Sequence, residues 1–356
     1  MTDGAPADLR PDAWDAFVAG HPLATYLQTS AWARVKAPNG WSSRLIEAPL
    51  GEGGRIGARI LVRRPRAVPL AFAYAPRGPL GTDWSEAALG TWSEALRTAR
   101  ERDLGHGAPV AHVRIDPEIE LDGPLDIDGA ARTTLERLGW RSAPEVQPSV
   151  TRVVDLTADE SVLWGDLRSK WRQYVNRARS GGVTVDDIDA DADGRAFPTF
   201  HRIMTQTSRR TGTPIRTEAA YRDIWDAFRP GGGARLLFAR DESGEVLAVL
   251  LLVRCGSRVV EPYGGMTEVG AQRRANYLLK WEAIRSSRGG GATSYDMWGL
   301  VHPGIRQFKE GFGGREVRLI GAWDLPLSGL GWKAYRLAEG RRRAPRVVTA
   351  ATAGER

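Results

Sequence analysis

Hydrophobic and polar positions change period several times along this chain, and the changes predict a definite order of elements in its first half. Strand-like runs at residues 56–64 and 70–75 are followed by a helical pattern at about 85–102 and a third strand at 110–115. Asp116-Pro117 comes directly afterwards, and a proline at this point ends the strand. The predicted order is therefore β-β-α-β.

The second half of the chain repeats this order. Its predicted elements are strands at 235–240, 246–254 and 258–263, a helix at about 272–287 and a strand at 293–298. A hairpin turn, Asp241-Glu242-Ser243-Gly244, joins the first two strands. Residue identity between the halves is low, so we infer the duplication from the order of the elements. The pattern is typical of an α+β protein.

Two tyrosines and two aspartates occupy equivalent places in the repeated order. Tyr74 and Asp116 come from the first half, and Tyr263 and Asp296 come from the second half. We therefore expect two copies of one fold, with these polar side chains at matching positions in each copy.

A basic, amphipathic helix is predicted between the two halves. Its apolar and aromatic positions recur at helical spacing and are Trp164, Leu167, Trp171, Tyr174, Val175 and Ala178. Its basic residues are Arg168, Lys170, Arg172, Arg177 and Arg179. Gly181-Gly182 is suited to end the helix. An ordinary solvated face and a surface that contacts phosphates both stay open as interpretations.

A second helix of this middle segment begins beside an arginine. Thr217 is the predicted N-cap and Glu218 lies in the first turn. The apolar stripe that follows consists of Tyr221, Ile224, Trp225 and Phe228. An anion held by Arg216 would also meet the positive end of the helix dipole.

Length and charge limit the class of protein. A chain of 356 residues suggests about two domains. A net charge of +7 and a pI of about 9.8 favour polyanionic partners such as RNA, nucleotide diphosphates or an anionic membrane face. An arginine-rich composition explains the same charge without any specific partner.

Several kinds of site and segment are not indicated by the sequence. The one cysteine, Cys255, rules out an internal disulfide and lies in an apolar run typical of a core. The five histidines are scattered, so no metal site is predicted. The N-terminus lacks the pattern of a secretory signal, and the longest apolar run, 246–253, is too short to span a membrane. We expect a cytoplasmic protein.

Lysine is scarce in this chain, which draws attention to Lys309. Of the 50 Lys and Arg residues, only five are lysines, namely Lys36, Lys170, Lys280, Lys309 and Lys333. Lys309 follows Phe308 within a glycine-containing run at 304–314, soon after the strand that contains Asp296. A solvated surface charge is the ordinary explanation, and a compact ammonium required by chemistry is the alternative.

The common catalytic motifs are missing from the sequence. It contains no Ser-His-Asp order, no paired-carboxylate motif and no GxxxxGK[ST] phosphate loop. The nearest counterpart of an acetyl-CoA loop, Gln272-Arg273-Arg274-Ala275-Asn276, lacks the glycines that let a backbone approach a pyrophosphate. Coenzyme A is therefore disfavoured, although the order of elements resembles that of N-acyltransferases that use it.

Six motifs, taken together in their order, point to one protein family. They are Leu27-Gln28-Thr29-Ser30-Ala31-Trp32 with Val35-Lys36, Val113-Arg114-Ile115-Asp116-Pro117-Glu118, the helix at 167–178, Glu261-Pro262-Tyr263-Gly264-Gly265, Tyr295-Asp296-Met297-Trp298-Gly299 and Phe308-Lys309-Glu310-Gly311-Phe312-Gly313-Gly314. With these motifs the chain resembles, over about residues 26–327, the Fem family of aminoacyl-tRNA-dependent peptidyltransferases, which build peptidoglycan side bridges.

The resemblance implies two acyltransferase-like (GNAT-like) domains in tandem, each with a mixed β-sheet. The first domain would comprise residues 1–152 plus 319–345 and bind the acceptor, and the second, 153–318, would carry the catalytic lysine. Larger members insert a long coiled-coil arm, for which residues 156–185 leave no room, so the chain is similar to the compact FemX-like branch. Residues 346–356 are expected to form a disordered tail.

The resemblance also implies roles for individual residues. Lys309 and Phe308 would meet the aminoacyl ester, and Asp116 would orient the acceptor amine or assist its proton. Lys36 and Arg216 would hold a diphosphate. The remaining substrate-binding residues would be Tyr263, Tyr74, Arg77 and Asp296. The tRNA would lie on Arg168, Lys170, Arg172, Arg177, Arg179, Arg273 and Arg274.

The implied reaction transfers an amino acid from aminoacyl-tRNA to the side-chain amine of a UDP-linked or lipid-linked muropeptide and needs no cofactor. The protein would be a monomer that contacts the inner face of the membrane. Three alternatives stay open. They are the same chemistry on a peptide antibiotic, an acetyl-CoA-dependent N-acetyltransferase, and an RNA-binding protein without catalytic activity.

Overall fold

The computed structural model describes residues 13–64, 70–102, 104, 109–300 and 302–343. Its helices are α1 Ala13–Gly20, α2 Ser30–Lys36, α3 Glu86–Arg102, α4 Ala130–Arg137, α5 Glu160–Asp166, α6 Ser169–Ser180, α7 Ala196–Thr211, α8 Glu218–Phe228, α9 Glu268–Gln272, α10 Ala275–Gly289, α11 Pro303–Glu310 and α12 Gly329–Arg343. Its strands are β1 Trp41–Pro49, β2 Arg55–Arg63, β3 Ala71–Ala75, β4 Leu80–Gly81, β5 Val110–Ile115, β6 Arg141–Ala143, β7 Val150–Asp155, β8 Thr184–Asp187, β9 Ala234–Arg240, β10 Val246–Cys255, β11 Arg258–Met266, β12 Ser294–Asp296, β13 Arg315–Arg318 and β14 Ala322–Pro326.

The first sheet has the strand order β1-β2-β3-β5-β14-β6, with β4 paired to β2. Strands β3 and β5 are parallel and are joined through α3, whereas the other neighbours are antiparallel. Trp92 of α3 stacks on Trp140 with ring centroids 5.9 Å apart. Its Nε1 also donates a hydrogen bond of 3.1 Å to the carbonyl oxygen of Ile46. Helix α3 therefore covers one face of this sheet and forms its core.

The second sheet has the order β13-β7-β12-β11-β10-β9-β8, in which β11 and β12 are the parallel pair. Strand β10 is almost entirely buried. Val249 and Leu251 pack with α7 and α8, whereas Leu250 and Leu252 pack with α6 and α10. Because successive side chains of a strand face opposite sides, this sheet is covered by helices on both faces.

The predicted duplication of the β-β-α-β order is confirmed. In the first half, β2, β3, α3 and β5 occur in this order, with the two-residue strand β4 between β3 and α3. In the second half, β10, β11, α10 and β12 occur in this order, with the short helix α9 between β11 and α10. Each unit contains one parallel pair, β3 with β5 and β11 with β12. The N-terminal residues Trp14, Tyr26 and Trp32 pack into the same core as Phe200 and Ile224 of the second half, so the two units are in contact.

Two predicted helices differ from the structure. The basic helix is divided into α5 and α6, because Leu167 and Arg168 adopt extended ψ angles of 136° and 139°. The apolar spacing continues across this break, which is why the pattern conceals it. The helix predicted from about 272 begins at Ala275, after the separate α9, because Arg274 has a φ of 61°.

The predicted domain boundaries stay a prediction. Strand β14 returns the chain to the first sheet, and the boundary proposed at 152/153 falls inside β7 of the second sheet. Between β7 and β8, the described residues form only α5 and α6, so no long arm is inserted there. The predicted tail at 346–356, together with residues 1–12 and 344–345 of the first domain, lies outside the described residues.

Candidate active site

A cavity of about 940 Å³ lies beside the second sheet, where β11, α7, α10 and α11 meet. Arg216, Tyr263 and Lys309 are the sequence-predicted substrate and catalytic residues on its wall, together with Phe308. Arg274 also lines it. The cavity therefore brings together residues that are far apart in the chain.

Lys309 is held at the cavity by three backbone carbonyls. Helix α11 begins with Pro303, which suits the first turn of a helix, and places Lys309 in its last turn. The ammonium donates hydrogen bonds to the carbonyl oxygens of Met297 at 2.6 Å, Gly299 at 2.9 Å and Trp298 at 3.3 Å. The longest of these is the weakest, so it is the one that a substrate oxygen can replace at least cost.

The surroundings of Lys309 lower the pKa of its ammonium group. Burial, and then the charge of Lys280, lower the pKa of Lys309 from 10.5 to about 8. The carboxylates of Glu261 and Asp296 act in the opposite direction. At pH 7 the side chain is therefore still an ammonium, but it loses its proton readily above pH 8.

A second buried lysine forms an ion pair beside Lys309, and the sequence-based assignment of sites missed it. Lys280 is 2% exposed, Glu261 is 7% exposed, and the two are joined as an ion pair. Tyr295 donates a hydrogen bond of 2.6 Å to the other oxygen of Glu261. Both Lys280 and Glu261 line the cavity. The scarcity of lysine, together with the apolar neighbours Leu279 and Trp281, was a signal that could have identified Lys280.

Aromatic rings connect α11 to α6 and α10. Tyr277 lies 4.8 Å from Tyr174 and 5.1 Å from Phe308, in edge-to-face arrangements measured between ring centroids. Trp171 donates a hydrogen bond of 2.9 Å from its Nε1 to the carbonyl oxygen of Phe308. Glycine is required at Gly311, because a Cβ there would lie 2.3 Å from the Trp171 ring. The predicted tRNA-binding helix is thus packed against the helix that carries Lys309.

The two predicted diphosphate-binding residues differ in their relation to the cavity, because Arg216 lines it whereas Lys36 is not among its lining residues. Arg216 donates a hydrogen bond of 2.6 Å from its Nε to the hydroxyl of Tyr263. Burial, and then the charges of Arg216 and Arg63, lower the pKa of Lys36 to about 8. Thr217 caps α8 as predicted, since its hydroxyl accepts from Ala220 N at 3.3 Å.

Asp116 lies in a different place from Lys309. Its carboxylate accepts hydrogen bonds from Tyr74 Oη at 2.6 Å, Arg77 N at 2.7 Å and Gln147 N at 3.2 Å. Burial raises the pKa of Asp116 against these hydrogen bonds and the charge of Arg77. The residue is 2% exposed and is not on the wall of the cavity. Its contacts hold the turn after β3 in place, and the predicted role in proton transfer stays a prediction.

Arg77 connects the turn after β3 to the cavity. Its guanidinium donates a hydrogen bond of 2.7 Å to the carbonyl oxygen of Pro148 and lies 5.2 Å from the centre of the Trp298 ring. Pro148 and Trp298 both line the cavity, so Arg77 contacts two residues of its wall. The predicted contacts of Arg77 and Tyr74 with substrate stay predictions.

Asp296 occupies an ion-pair network between the two halves. It accepts hydrogen bonds from Arg258, from the hydroxyl of Thr151 and from Trp298 N at 2.7 Å. Burial raises the pKa of Asp296, but Arg258 and the hydrogen bonds outweigh it, so the pKa is lowered. Arg258 also pairs with Glu118 at 3.0 Å. Asp296 therefore fixes the segment whose carbonyls bind Lys309, and a direct contact with substrate stays a prediction.

The basic residues predicted to bind tRNA fall into two groups. Four of them form ion pairs with carboxylates or a short hydrogen bond to a carbonyl oxygen within the protein. Arg168 pairs with Glu310, Arg179 with Glu282 and Arg273 with Asp241 and Glu242, while Arg172 donates to the carbonyl oxygen of Gly165. Lys170 and Arg177 are exposed on α6, and the guanidinium of Arg274 lies 4.5 Å from the centre of the Tyr174 ring at the cavity. The second group is better placed for a ligand.

Other kinds of site have less support from the described residues. Cys255 is buried, and burial raises the pKa of its thiol to about 12, so its predicted place in the core is confirmed. We find no group of three or more His, Cys, Asp or Glu side chains placed to hold a metal ion in the described ranges. None of the described helices has the length and apolar character needed to cross a membrane.

Comparison with known proteins gives consistent results. The model of the FemAB family matches residues 9–241 and 234–340. The lipid II:glycine glycyltransferase of Staphylococcus saprophyticus is 29% identical over 251 residues, which are 67% of this chain and 57% of the relative. The chain thus spans little more than half the length of this curated relative.

Two solved structures share the fold. The crystal structure of FemX is similar over 91% of this chain and 97% of that protein, with a TM-score of 0.77 and 22% identity. The tandem GNAT protein from the clavulanic acid biosynthesis pathway is similar over 88% of this chain and 94% of that protein, with a TM-score of 0.52 and 14% identity. The predicted α+β fold of two GNAT-like units in tandem is therefore confirmed.

Proposed function

The chain belongs to the FemAB family, and we propose that it is an aminoacyltransferase. In this proposal it moves an amino acid from aminoacyl-tRNA to the side-chain amine of a peptidoglycan precursor and so forms the interpeptide bridge. The name of its relative from Staphylococcus saprophyticus, a lipid II:glycine glycyltransferase, supports a glycyl group and a peptidoglycan acceptor. The observation that carries the proposal is the half-buried ammonium of Lys309, bound by backbone carbonyls at a large cavity.

An aminoacyl ester needs little more than a positive charge and correct positioning to react with an amine. The amine nitrogen forms a bond to the ester carbonyl carbon, and the carbonyl oxygen becomes negative in the tetrahedral intermediate. The carbon–oxygen bond to the ribose then breaks, and the ribose oxygen leaves with the proton that the amine gives up. The Lys309 ammonium would stabilise the negative oxygen by exchanging its 3.3 Å bond to Trp298 for one to the substrate.

Lys309 is a better candidate for this role than Lys280. The charge of Lys280 is neutralised by Glu261, whereas none of the ion pairs found among the described residues includes Lys309. The three carbonyl oxygens that accept from the Lys309 ammonium replace its hydrogen bonds to water, but unlike a carboxylate they do not neutralise its charge. Lys309 therefore retains a charge that an oxyanion can use.

The acceptor would be held by its phosphates at the edge of the cavity. The charge of Arg216 lowers the pKa of Lys36, and the hydroxyl of Tyr263 accepts a hydrogen bond that orients the Arg216 side chain. A pair of cations suits a diphosphate, which both a UDP-linked and a lipid-linked muropeptide contain. The acceptor is therefore proposed as a diphosphate-linked muropeptide, with no cofactor involved.

The tRNA would approach from the side of α6. Lys170, Arg177 and Arg274 would contact phosphates, and the rings of Tyr174 and Tyr277 would stack against the unpaired end of the acceptor stem. Aminoacyl-tRNA is a cytoplasmic substrate, so we place the reaction in the cytoplasm and at the inner face of the membrane. We propose a monomer as the active form.

One assay tests the proposal. Purified protein is mixed with tRNA charged with glycine, alanine or serine and with UDP-linked or lipid-linked muropeptide, and the product is identified by its increase in mass. We expect an increase of one aminoacyl residue in the presence of charged tRNA. Turnover with acetyl-CoA, and none with any charged tRNA, would contradict the proposal.

A further inference from the structure

The last helix of the described chain, α12, turns an apolar stripe to solvent. Leu330 is 84% exposed and Leu337 is 60% exposed. They are seven residues apart, which places them on the same face of the helix. Ala334 and Ala338 are exposed beside them. The stripe consists of these four residues, and we call it the leucine face.

The opposite face of α12 fixes the helix on the first sheet. The ring of Tyr335 stacks on Phe72 with centroids 5.3 Å apart and lies 4.6 Å from His112. Glu339 accepts hydrogen bonds of 2.7 and 3.0 Å from Arg114. These contacts leave the helix no freedom to turn the leucine face inward, so the apolar stripe is a permanent feature of the surface.

The charges of α12 complement an anionic surface. Lys333 is exposed next to Leu330 and Leu337. Within residues 329–343, Glu339 is the one acidic residue, and it is paired with Arg114. The sequence then adds Arg341-Arg342-Arg343 in the last turn. Exposed leucines next to cations, without an acidic residue facing outward, are the pattern of helices that lie in the interface of an anionic membrane.

The position of α12 relates the leucine face to the cavity. The helix follows strand β5, from Ala111, whose carbonyl accepts from Ser328 N at 3.1 Å, to Arg114. Strand β5 leads directly to Asp116, which is bound to Gln147 N, and the next residue, Pro148, lines the cavity. The C-terminal half of α12, in which Glu339 binds Arg114, therefore lies beside the end of β5 that leads to Asp116.

We propose that the leucine face of α12 docks the protein on the surface of an anionic phospholipid membrane. The purpose of this contact rests on the proposed function, since it would bring the cavity to a lipid-linked acceptor. The lipid contact itself requires no turnover. It can therefore be tested separately from the reaction.

The test measures sedimentation with vesicles. The full chain is mixed with vesicles of phosphatidylglycerol and phosphatidylcholine in equal parts, or of phosphatidylcholine alone. We expect binding to the first kind only, and we expect Leu330→Ser/Leu337→Ser to weaken it by at least about tenfold. The matched control is Ile127→Ser/Val162→Ser, which removes side chains that are 62% and 52% exposed on other surfaces and should bind as the unmodified protein does.

Several results would overturn the proposal. One is absence of binding to the anionic vesicles, and another is equal binding by Leu330→Ser/Leu337→Ser and the unmodified protein. A third is a loss of tRNA binding, or of a dimer in solution, in that variant while vesicle binding is kept, because the face would then serve RNA or a second copy.

A second arm of the experiment uses turnover. Leu330→Ser/Leu337→Ser should retain full turnover of a soluble UDP-linked acceptor and lose turnover of a lipid-linked acceptor in vesicles. If no acceptor is turned over by the unmodified protein, the proposed reaction fails while the vesicle result still decides the docking surface. Equal loss with both acceptors would contradict a role of the leucine face in docking.

Discussion

The ammonium of Lys309 donates its shortest hydrogen bond, 2.6 Å, to the carbonyl oxygen of Met297. Met297 follows Asp296, which is bound by Arg258 in the network between the two halves. The cation that we propose for catalysis is thus positioned by the end of β12 and by contacts that involve both halves of the chain. Contacts between the two halves of the chain therefore help to fix the position of the Lys309 side chain.

The pH dependence of the reaction should report the protonation of Lys309. Its pKa is lowered to about 8, and the protonated form is the active one. We expect kcat to fall as the pH rises through 8 and to be about tenfold lower at pH 9 than on its plateau. Measurement at saturating acceptor is required, because Lys36 also has a pKa of about 8 and would affect KM. A kcat that is constant from pH 7 to 9 would contradict this assignment.

The contribution of Lys309 to the free energy of unfolding should rise over the alkaline pH range in which kcat falls. Because the folded-state pKa of Lys309 is below its unfolded value of 10.5, the unfolded chain binds more protons between about pH 8 and 10.5. The contribution of Lys309 to the free energy of unfolding therefore rises with pH while activity falls. Comparison of Lys309→Met with the unmodified protein by chemical denaturation separates this contribution from those of other groups.

Glu261 and Lys280 should shift the pKa of Lys309 in opposite directions. Glu261→Gln removes a negative neighbour and should move the alkaline limb of kcat to lower pH, whereas Lys280→Met should move it to higher pH. Each single variant leaves a buried charge unpaired and should be destabilised by about 3–5 kcal/mol. The double variant Glu261→Gln/Lys280→Met should regain much of the lost stability. The pH at which its kcat falls should also return most of the way to that of the unmodified protein. Shifts of the same sign in both single variants would contradict the electrostatic explanation.

Lys36→Ala should affect binding of the acceptor more than the chemical step. A diphosphate contact is remote from the bond that forms, so we expect the KM for the acceptor to rise by about ten- to hundredfold with kcat changed much less. With a soluble UDP-linked acceptor, Lys333→Ala is the control, because it removes an exposed lysine that is not among the residues lining the cavity and whose proposed membrane contact plays no part in that assay. An unchanged KM for a soluble UDP-linked acceptor in Lys36→Ala would remove Lys36 from the acceptor site.

Asp116→Asn separates a structural role from a catalytic one. Asp116 accepts hydrogen bonds from Tyr74, Arg77 and Gln147, and an amide replaces one acceptor oxygen with a donor. We expect a loss of about 1–3 kcal/mol in the free energy of unfolding and a kcat within about tenfold of the unmodified value. A folded variant whose kcat falls by more than about a hundredfold would instead give Asp116 the proton-transfer role.

Much of the fold could be predicted from the sequence because the spacing of apolar residues clearly distinguishes strands from helices. The repeated order of elements and the N-cap at Thr217 were both predicted and are observed. Tyr74 and Asp116 were predicted only to occupy equivalent places to Tyr263 and Asp296, and in the structure they are joined by a hydrogen bond. The equivalent pair in the second half behaves differently. Tyr263 binds Arg216, and Asp296 binds Arg258, so matching positions in the repeat did not lead to matching contacts.

The parts that the sequence did not reveal depend on tertiary contacts. The break between α5 and α6 keeps the apolar spacing of one helix, so no periodicity could show it. The ion pair of Glu261 and Lys280 joins a strand and a helix 19 residues apart, and pairing of this kind has no local signature. The position of Asp116, which is not among the residues lining the cavity, is set by hydrogen bonds from the turn after β3 and from residue 147.

The most direct measurement is the rate of a single turnover by Lys309→Met with aminoacyl-tRNA and acceptor already bound. Binding of both substrates is measured separately and should stay within about threefold of the unmodified protein, and thermal unfolding verifies that the variant is folded. The account predicts a rate lower by about 10²–10³-fold, which is the effect of removing one donor to an oxyanion. A folded, substrate-bound variant that reacts within about threefold of the unmodified rate would contradict it.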